Sequence, residues 1–151
     1  FWRIYTKNTV LPPQYFSENA KVSGCIVGEG TEIYGEIYNS VIGSGVTVEE
    51  GAFITNSIIM NGTVVKAGAR IEKSIIAENS EIGENTELGA FEEAPNKFKP
   101  NTYCDGLVTI GEGSVVPANV KIGKNVAIVG KTTPEDYPNG ILASGESIFR
   151  Q

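Results

Sequence analysis

The sequence contains no histidine. That absence removes imidazole general bases, the Ser–His and Cys–His nucleophile pairs, and every histidine-ligated metal site. Cysteine is scarce too: Cys25 and Cys104 are the only two in 151 residues. A secreted disulfide scaffold needs more, so the expectation is a reduced, cytoplasmic chain. No apolar run approaches the roughly 18 residues of a membrane span, and no signal-peptide pattern opens the chain. It begins Phe1-Trp2 rather than with Met, which reads as a piece of a longer polypeptide. Basic residues are outnumbered, 12 Lys and Arg against 18 Asp and Glu, for a net charge of -6. Nucleic acid and anionic membrane surfaces both repel such a chain and are excluded as partners.

Glycine, by contrast, is abundant, with 18 copies, so the backbone turns often. An aliphatic residue recurs every six positions, with occasional shorter steps. The series runs Val27, Ile33, Ile37, Ile42, Val48, Ile54, Ile59, Val65, Ile71, Ile76, Ile82, Leu88, then Ile110, Val116, Ile122 and Ile128. Three positions past each residue that opens a six-residue step stand Gly30, Gly45, Gly51, Gly62, Gly68, Asn79, Asn85, Gly113, Asn119 and Asn125. Gly and Asn are the residues that most easily adopt positive φ. Two positions before the aliphatic that ends each step sits a small or β-branched residue, such as Thr31, Ala52, Ser80 or Val120. Alternation along a short strand points both of these inward.

Short strands joined by left-handed corners at period six make a triangular coil. Ile42, Ile59 and Ile76 are spaced by 17, so one coil holds about three strands, and residues 17 apart stack on one face. The expected fold is all-β, a parallel β-helix with a continuous aliphatic core. A β-sandwich, with turns every 8–12 residues, does not account for ten Gly or Asn corners.

Three stretches break the repeat. The first coil steps by six, four and five, so two residues are missing around Tyr34-Gly35 and a tighter corner is expected there. Residues 89–106 carry two prolines, scattered charge and no period, and read as an excursion loop that is either functional or, by preference, simply mobile. Residues 1–19 place Trp2, Tyr5 and Phe16 around Pro12-Pro13, an extended aromatic linker suited to docking on a neighbouring domain or capping the open end. Residues 20–130 form the β-helix, and 131–151 are expected to fold back as a cap over exposed strand edges. On the outside, Ile26, Val41, Ile58 and Ile75 precede the core aliphatics of one face and stack outward. Such an apolar row marks a contact surface, with Trp2, Tyr5 and Phe16 available to cover it from within the chain and a second subunit as the other candidate.

No catalytic, cofactor-binding or metal-ligating residue stands out. The adjacent carboxylates Glu49-Glu50, Glu92-Glu93 and Glu135-Asp136 point to opposite sides of a strand and read as solvated surface. Gly43-Ser44-Gly45 is a corner of the repeat, and no phosphate-loop lysine follows it. Hexapeptide acyltransferases and carbonic anhydrases both depend on histidine, so this chain lacks the parts of either.

Hexapeptide sequences of this kind resemble the left-handed β-helix proteins, and the handedness is implied by that resemblance. The opening Trp2-Arg3-Ile4-Tyr5-Thr6 and Leu11-Pro12-Pro13-Gln14-Tyr15-Phe16 resemble the W-x-I-x-[TS] and P-P-x-[YF] linker of bacterial glucose-1-phosphate adenylyltransferases. Val22 to Gly30 resembles their first coil. Asn39-Ser40-Val41-Ile42 and Asn56-Ser57-Ile58-Ile59 are similar to their N-S-[VI]-[IL] rows. The resemblance implies a non-catalytic regulatory and oligomerisation domain. ATP, magnesium and the catalytic residues would belong to an N-terminal nucleotidyltransferase domain outside this chain. It further implies a homo- or hetero-tetramer, sugar-phosphate or phosphate effectors, and a role in glycogen or starch synthesis. Gly106-Leu107-Val108-Thr109 is similar to a G-[IL]-V-T segment of regulated relatives, but Gly111 and Glu112 stand near the place where some carry a lysine. The alternatives are the β-helix of another sugar-phosphate nucleotidyltransferase, or a histidine-free structural hexapeptide protein.

Overall fold

A computed structural model describes Trp2 and residues 10–150. The expected corners govern the backbone. All ten Gly and Asn positions named above have positive φ, from 53° at Asn85 to 74° at Gly51. Between corners run strands of two to four residues, each too short to stand alone and each paired in parallel with the strand one coil away.

The strands sort into three sheets, one per side of the triangle. Sheet A holds six strands from Tyr15–Phe16 to Val115–Val116; sheet B runs from Lys21–Ser23 to Ile141–Leu142, and sheet C from Ile26–Val27 to Ser147–Phe149, with seven each. Register follows the 17-residue spacing: Val41 pairs with Ile58, and Ile75 with Ile58. The short first coil appears as an offset of 15, with Ile26 opposite Val41 and Glu32 opposite Thr47. Its cut corner leaves no room for a side chain, since a Cβ on Gly35 would lie 2.4 Å from the Ala52 carbonyl oxygen.

The core fills as the pattern requires. From Ile33 to Ile128 every aliphatic of the series is at most 1% exposed, each worth roughly 1.5–3 kcal/mol of burial. The small inward positions are buried as well, and their hydroxyls are satisfied by carbonyls of the same or next coil. Thr31 Oγ1 donates to the Gly28 oxygen at 2.7 Å, and Thr86 Oγ1 to the Pro117 oxygen at 2.9 Å. No buried side-chain polar atom among the described residues lacks a partner, which avoids the 1–3 kcal/mol or so that each orphan would cost.

A third column of corners escaped the six-residue reading because it lies within the five-residue steps. Gly24, Asn39, Asn56 and Lys73 all have positive φ. Behind each corner stands a ladder: Ser40, Ser57 and Ser74 are buried, and each donates its hydroxyl to the carbonyl two residues earlier. Ser57 N–H then donates to Ser40 Oγ, and Ser74 N–H to Ser57 Oγ, both at 3.1 Å. Cys25 opens the same column, with its thiol toward the Ser23 carbonyl at 3.2 Å. The Asn-Ser pairs are thus corner and rung.

Both ends depart from expectation. The first rung of sheet A is already Tyr15–Phe16, inside the stretch expected to be linker, because Phe16 falls in register with the core position Ile33. The tail does more than cap. Residues Pro134–Asp136 and Pro138–Gly140 turn as short 3₁₀ segments, and the chain then adds a further strand to sheet B and one to sheet C. Tyr137, 2% exposed, plugs the core end and shares a hydrogen bond with Thr132.

The 89–106 excursion is pinned rather than mobile. It leaves at the corner between sheets B and C, so Ser74 pairs with Val108 at an offset of 34, twice 17. Buried Asn96 donates to the Asn125 carbonyl at 2.8 Å and to Ser147 Oγ at 3.0 Å, and accepts from the N–H groups of Phe98 and Lys99. Asn125 in turn binds Ala94 O, Glu93 and Gly106 N–H. These partners are remote in sequence, so no local pattern announces them.

Gly51→Val is expected to cost about 1–2 kcal/mol, because space exists there but a β-branched residue is strained at φ 74°. Urea denaturation checks it, and a Gly51→Asn variant should escape most of the loss, since Asn occupies the equivalent corners at Asn79 and Asn85. Conversely, Lys73→Asn places the favoured corner residue at φ 46° and should raise stability by about 0.5–1 kcal/mol. An unchanged denaturation midpoint would mean the Lys73 corner carries no strain.

Candidate interaction surface

The outward residues of the three sheets differ in kind. On sheet B one stacked column reads Lys21, Glu36, Phe53, Arg70, Glu87, Lys121 and Ile141. Five of these seven are charged, and neighbours neutralise one another: Lys21 lies 2.9 Å from Glu36, and Lys121 lies 3.1 Å from Glu87. Lys21 and the Tyr38 hydroxyl hold the Glu36 carboxyl below its usual range.

Sheet C carries no charge on its outer face. One column reads Ile26, Val41, Ile58, Ile75, Thr109, Ala127 and Ser147. The other, one residue past the core positions, reads Gly28, Gly43, Met60, Ala77, Gly111, Val129 and Phe149. In a chain of net charge -6, a whole sheet face without an ionised group is the site that a protein contact requires, since burial there strands no charge. The small residues keep it flat.

The chain covers one end of this face itself. The pinned loop lies over it where Asn96 meets Ser147, and Ala127, although outward, is only 1% exposed. Phe98 of the loop packs against Phe149 with ring centroids 5.1 Å apart. The other end stays open: Ile26 is 71% exposed, while Val41 and Ile58 are each about 40% exposed and Ile75 is half-buried. The four row residues are therefore brought together as one stack. The aromatics named with them are not. Trp2 is 92% exposed, Phe16 stands on sheet A at the open core end, and Tyr5 lies outside the described residues. The absence of charge from the second column was readable at spacing 17, but only for the regular coils. Val129 and Phe149 enter through offsets that the loop and tail set.

Reactive chemistry is thin. Cys25 and Cys104 are both free thiols, and desolvation, with the Asp105 carboxylate beside it, pushes the Cys104 thiol up and away from a nucleophilic thiolate. Among the described residues no three His, Cys, Asp or Glu side chains cluster to hold a metal ion, and no helix is long and apolar enough to cross a membrane.

Comparison with known proteins agrees with this architecture. A glucose-1-phosphate adenylyltransferase of Lachnospira eligens is 55% identical over 99% of this chain, which corresponds to 36% of that protein. Those of Acetivibrio thermocellus and Thermotoga maritima are 41% and 43% identical over 99% and 98% of the chain. The chain spans about a third of the length of these curated relatives. Among solved structures, the acetyltransferase domain of PglB from Neisseria gonorrhoeae superposes with a TM-score of 0.54 at 18% identity, covering 87% of this chain and 55% of that one. At that identity it shares the fold alone. Residues 12–110 match the pattern of the GlmU-like, C-terminal hexapeptide family; with the coil, its corners and its core in place, the chain belongs to that family, whose left-handed β-helix it shares.

Proposed function

We propose that this chain is the C-terminal, non-catalytic domain of a glucose-1-phosphate adenylyltransferase, and that its charge-free sheet C face holds it against another subunit. The observation that carries the first half is identity of 41–55% with adenylyltransferases across nearly the whole chain. The parent enzyme moves the adenylyl group of ATP to glucose 1-phosphate, giving ADP-glucose and pyrophosphate for glycogen synthesis. The ATP and magnesium of that reaction would be held by residues outside this chain, and no step is assigned to residues within it. A further domain of the same polypeptide and a tetrameric assembly of cytoplasmic subunits complete the reading. Two free cysteines fit a reduced compartment. The effector role implied by the resemblance belongs to the same proposal; Gly111 and Glu112 stand near the place where some regulated relatives carry a lysine, which disfavours an anion there.

The alternative, the β-helix of another sugar-phosphate nucleotidyltransferase, has the GlmU-like family match in its favour. Against it, the Lachnospira, Acetivibrio and Thermotoga relatives are all adenylyltransferases.

The pure chain is expected to form no ADP-glucose from ATP and glucose 1-phosphate, with or without magnesium. Measurable turnover in that assay would overturn the non-catalytic reading. For the contact face, Ile58→Lys with Ile75→Lys places two cations on the stack. Each buried aliphatic contributes roughly 1.5–3 kcal/mol to an interface, less the costs of association. Light scattering should show the variant smaller than the parent while thermal melting shows it still folded. A lower melting temperature at unchanged mass would instead mean intrachain cover. No change in either would mean an ordinary solvated strand.

A further inference from the structure

The two-residue deletion in the first coil makes a hollow beside sheet B; a smaller one of about 80 Å³, sharing Phe53 and Arg70, follows it one coil on. Full corners flank it, Ser17 to Ala20 below and Glu49 to Ala52 above, while the chain between them is cut short at Gly35. Stacked strands lie about 4.8 Å apart, so one shortened corner between two full ones leaves a slot a single strand-layer thick. The result is a hollow of about 520 Å³ walled by Asn19, Tyr34, Glu36, Glu50, Phe53 and Arg70. A second, of about 340 Å³, adjoins it across Tyr34 and is walled by Pro12, Pro13 and Tyr15. Both fall within the size range of small-ligand clefts.

The chemistry of the walls is mixed. Asn19, Glu50 and Arg70 make no side-chain hydrogen bond or ion pair with any described residue, and each borders the larger hollow. They offer an amide, a carboxylate and a guanidinium, which together supply donors and acceptors at fixed places. Arg70 is held over the Phe53 ring at 4.9 Å, and Tyr38 leans on that ring at 43°, so the donor is positioned rather than loose. Tyr34 is fixed by Tyr15 at 5.6 Å and by its hydroxyl on Glu32. Carboxylates at Glu32, Glu36 and Glu50 repel an anion, so phosphates and nucleotides are disfavoured. Arg70 and Tyr38 engage the Phe53 ring, so the aromatic wall left for a ligand ring in this hollow is Tyr34. A saturated ring with an apolar edge and several hydroxyls satisfies both the aromatic wall and the unfilled polar groups.

We propose that this slot is a binding site for a neutral hexose ring, with the hollow across Tyr34 receiving the next ring of an oligosaccharide. Glu50 accepts from sugar hydroxyls, Arg70 donates to them, and Tyr34 separates the two rings. The proposal does not depend on the adenylyltransferase reading.

The test is an amide NMR titration of the 151-residue chain with maltotriose and cellotriose, and with glucose 1-phosphate as the charged control. One or both neutral trisaccharides should shift the amides of Tyr34, Gly35, Gly51 and Arg70, with a Kd in roughly the millimolar range. Glucose 1-phosphate should not. Arg70→Ala and Glu50→Gln, both exposed and unpaired, should each weaken binding about tenfold and leave the remaining spectrum in place. Inserting two residues between Tyr34 and Gly35 restores a full corner and should abolish binding; if that variant does not fold, the two point variants decide. Absence of shifts with both trisaccharides, equal shifts with glucose 1-phosphate, or unchanged affinity in both point variants overturns the proposal.

Discussion

The molecule depends on the chain turning through left-handed corners between its short strands. A strand of two residues has almost no stability of its own, and only a sharp, repeatable corner returns the chain to pair with itself one coil later. Positive φ is what makes that corner short enough, and Gly and Asn accept it at least cost. The corner fixes the register of every strand, so the inward hydroxyls meet carbonyls of the neighbouring coil, the aliphatics stack, and the serine ladder behind Asn39, Asn56 and Lys73 closes. Core and hydrogen bonds are consequences of one backbone constraint.

Because each coil touches only its neighbours, the helix tolerates local irregularity. Two residues are lost at Tyr34-Gly35 and the coils on either side keep their pairing; a loop is inserted after Leu88 and sheets A, B and C resume in register beyond it. Each irregularity acts on the surface. The deletion opens a slot between two corners. The insertion folds back over sheet C and buries Ala127. Surface function can thus vary along the solenoid without cost to the core.

The contrast between sheets B and C follows from the same stacking. Residues that share a column lie side by side, so like charges in one column would repel across a strand spacing. Sheet B answers with opposite signs and aromatic spacers, sheet C with no charge. The second solution leaves apolar area open to water at Ile26, Val41 and Ile58. Where the chain's own loop reaches the face, it covers it, and Ile26, Val41 and Ile58 beyond the loop stay exposed.

The repeat, the parallel coil, the ten corners and the aliphatic core were legible in the sequence, because period six and the Gly or Asn positions are local facts that one-dimensional order preserves. The outward stack of Ile26, Val41, Ile58 and Ile75 was legible for the same reason. The Asn39 corner column was not, since it falls inside the five-residue step, and neither was the serine ladder, whose N–H to Oγ bonds link residues 17 apart. Phe16 stands 17 before Ile33 and continues the period under an aromatic rather than an aliphatic residue, while the tail strands return at an offset of 20 because two 3₁₀ turns intervene. Asn96 reaches Asn125 and Ser147 across 29 and 51 positions, so only the folded chain could decide that the loop is fixed and which end of sheet C it covers. Sequence sets what repeats, because each coil must solve the same corner; tertiary structure decides what happens where the repeat is broken, because there the partners come from elsewhere in the chain.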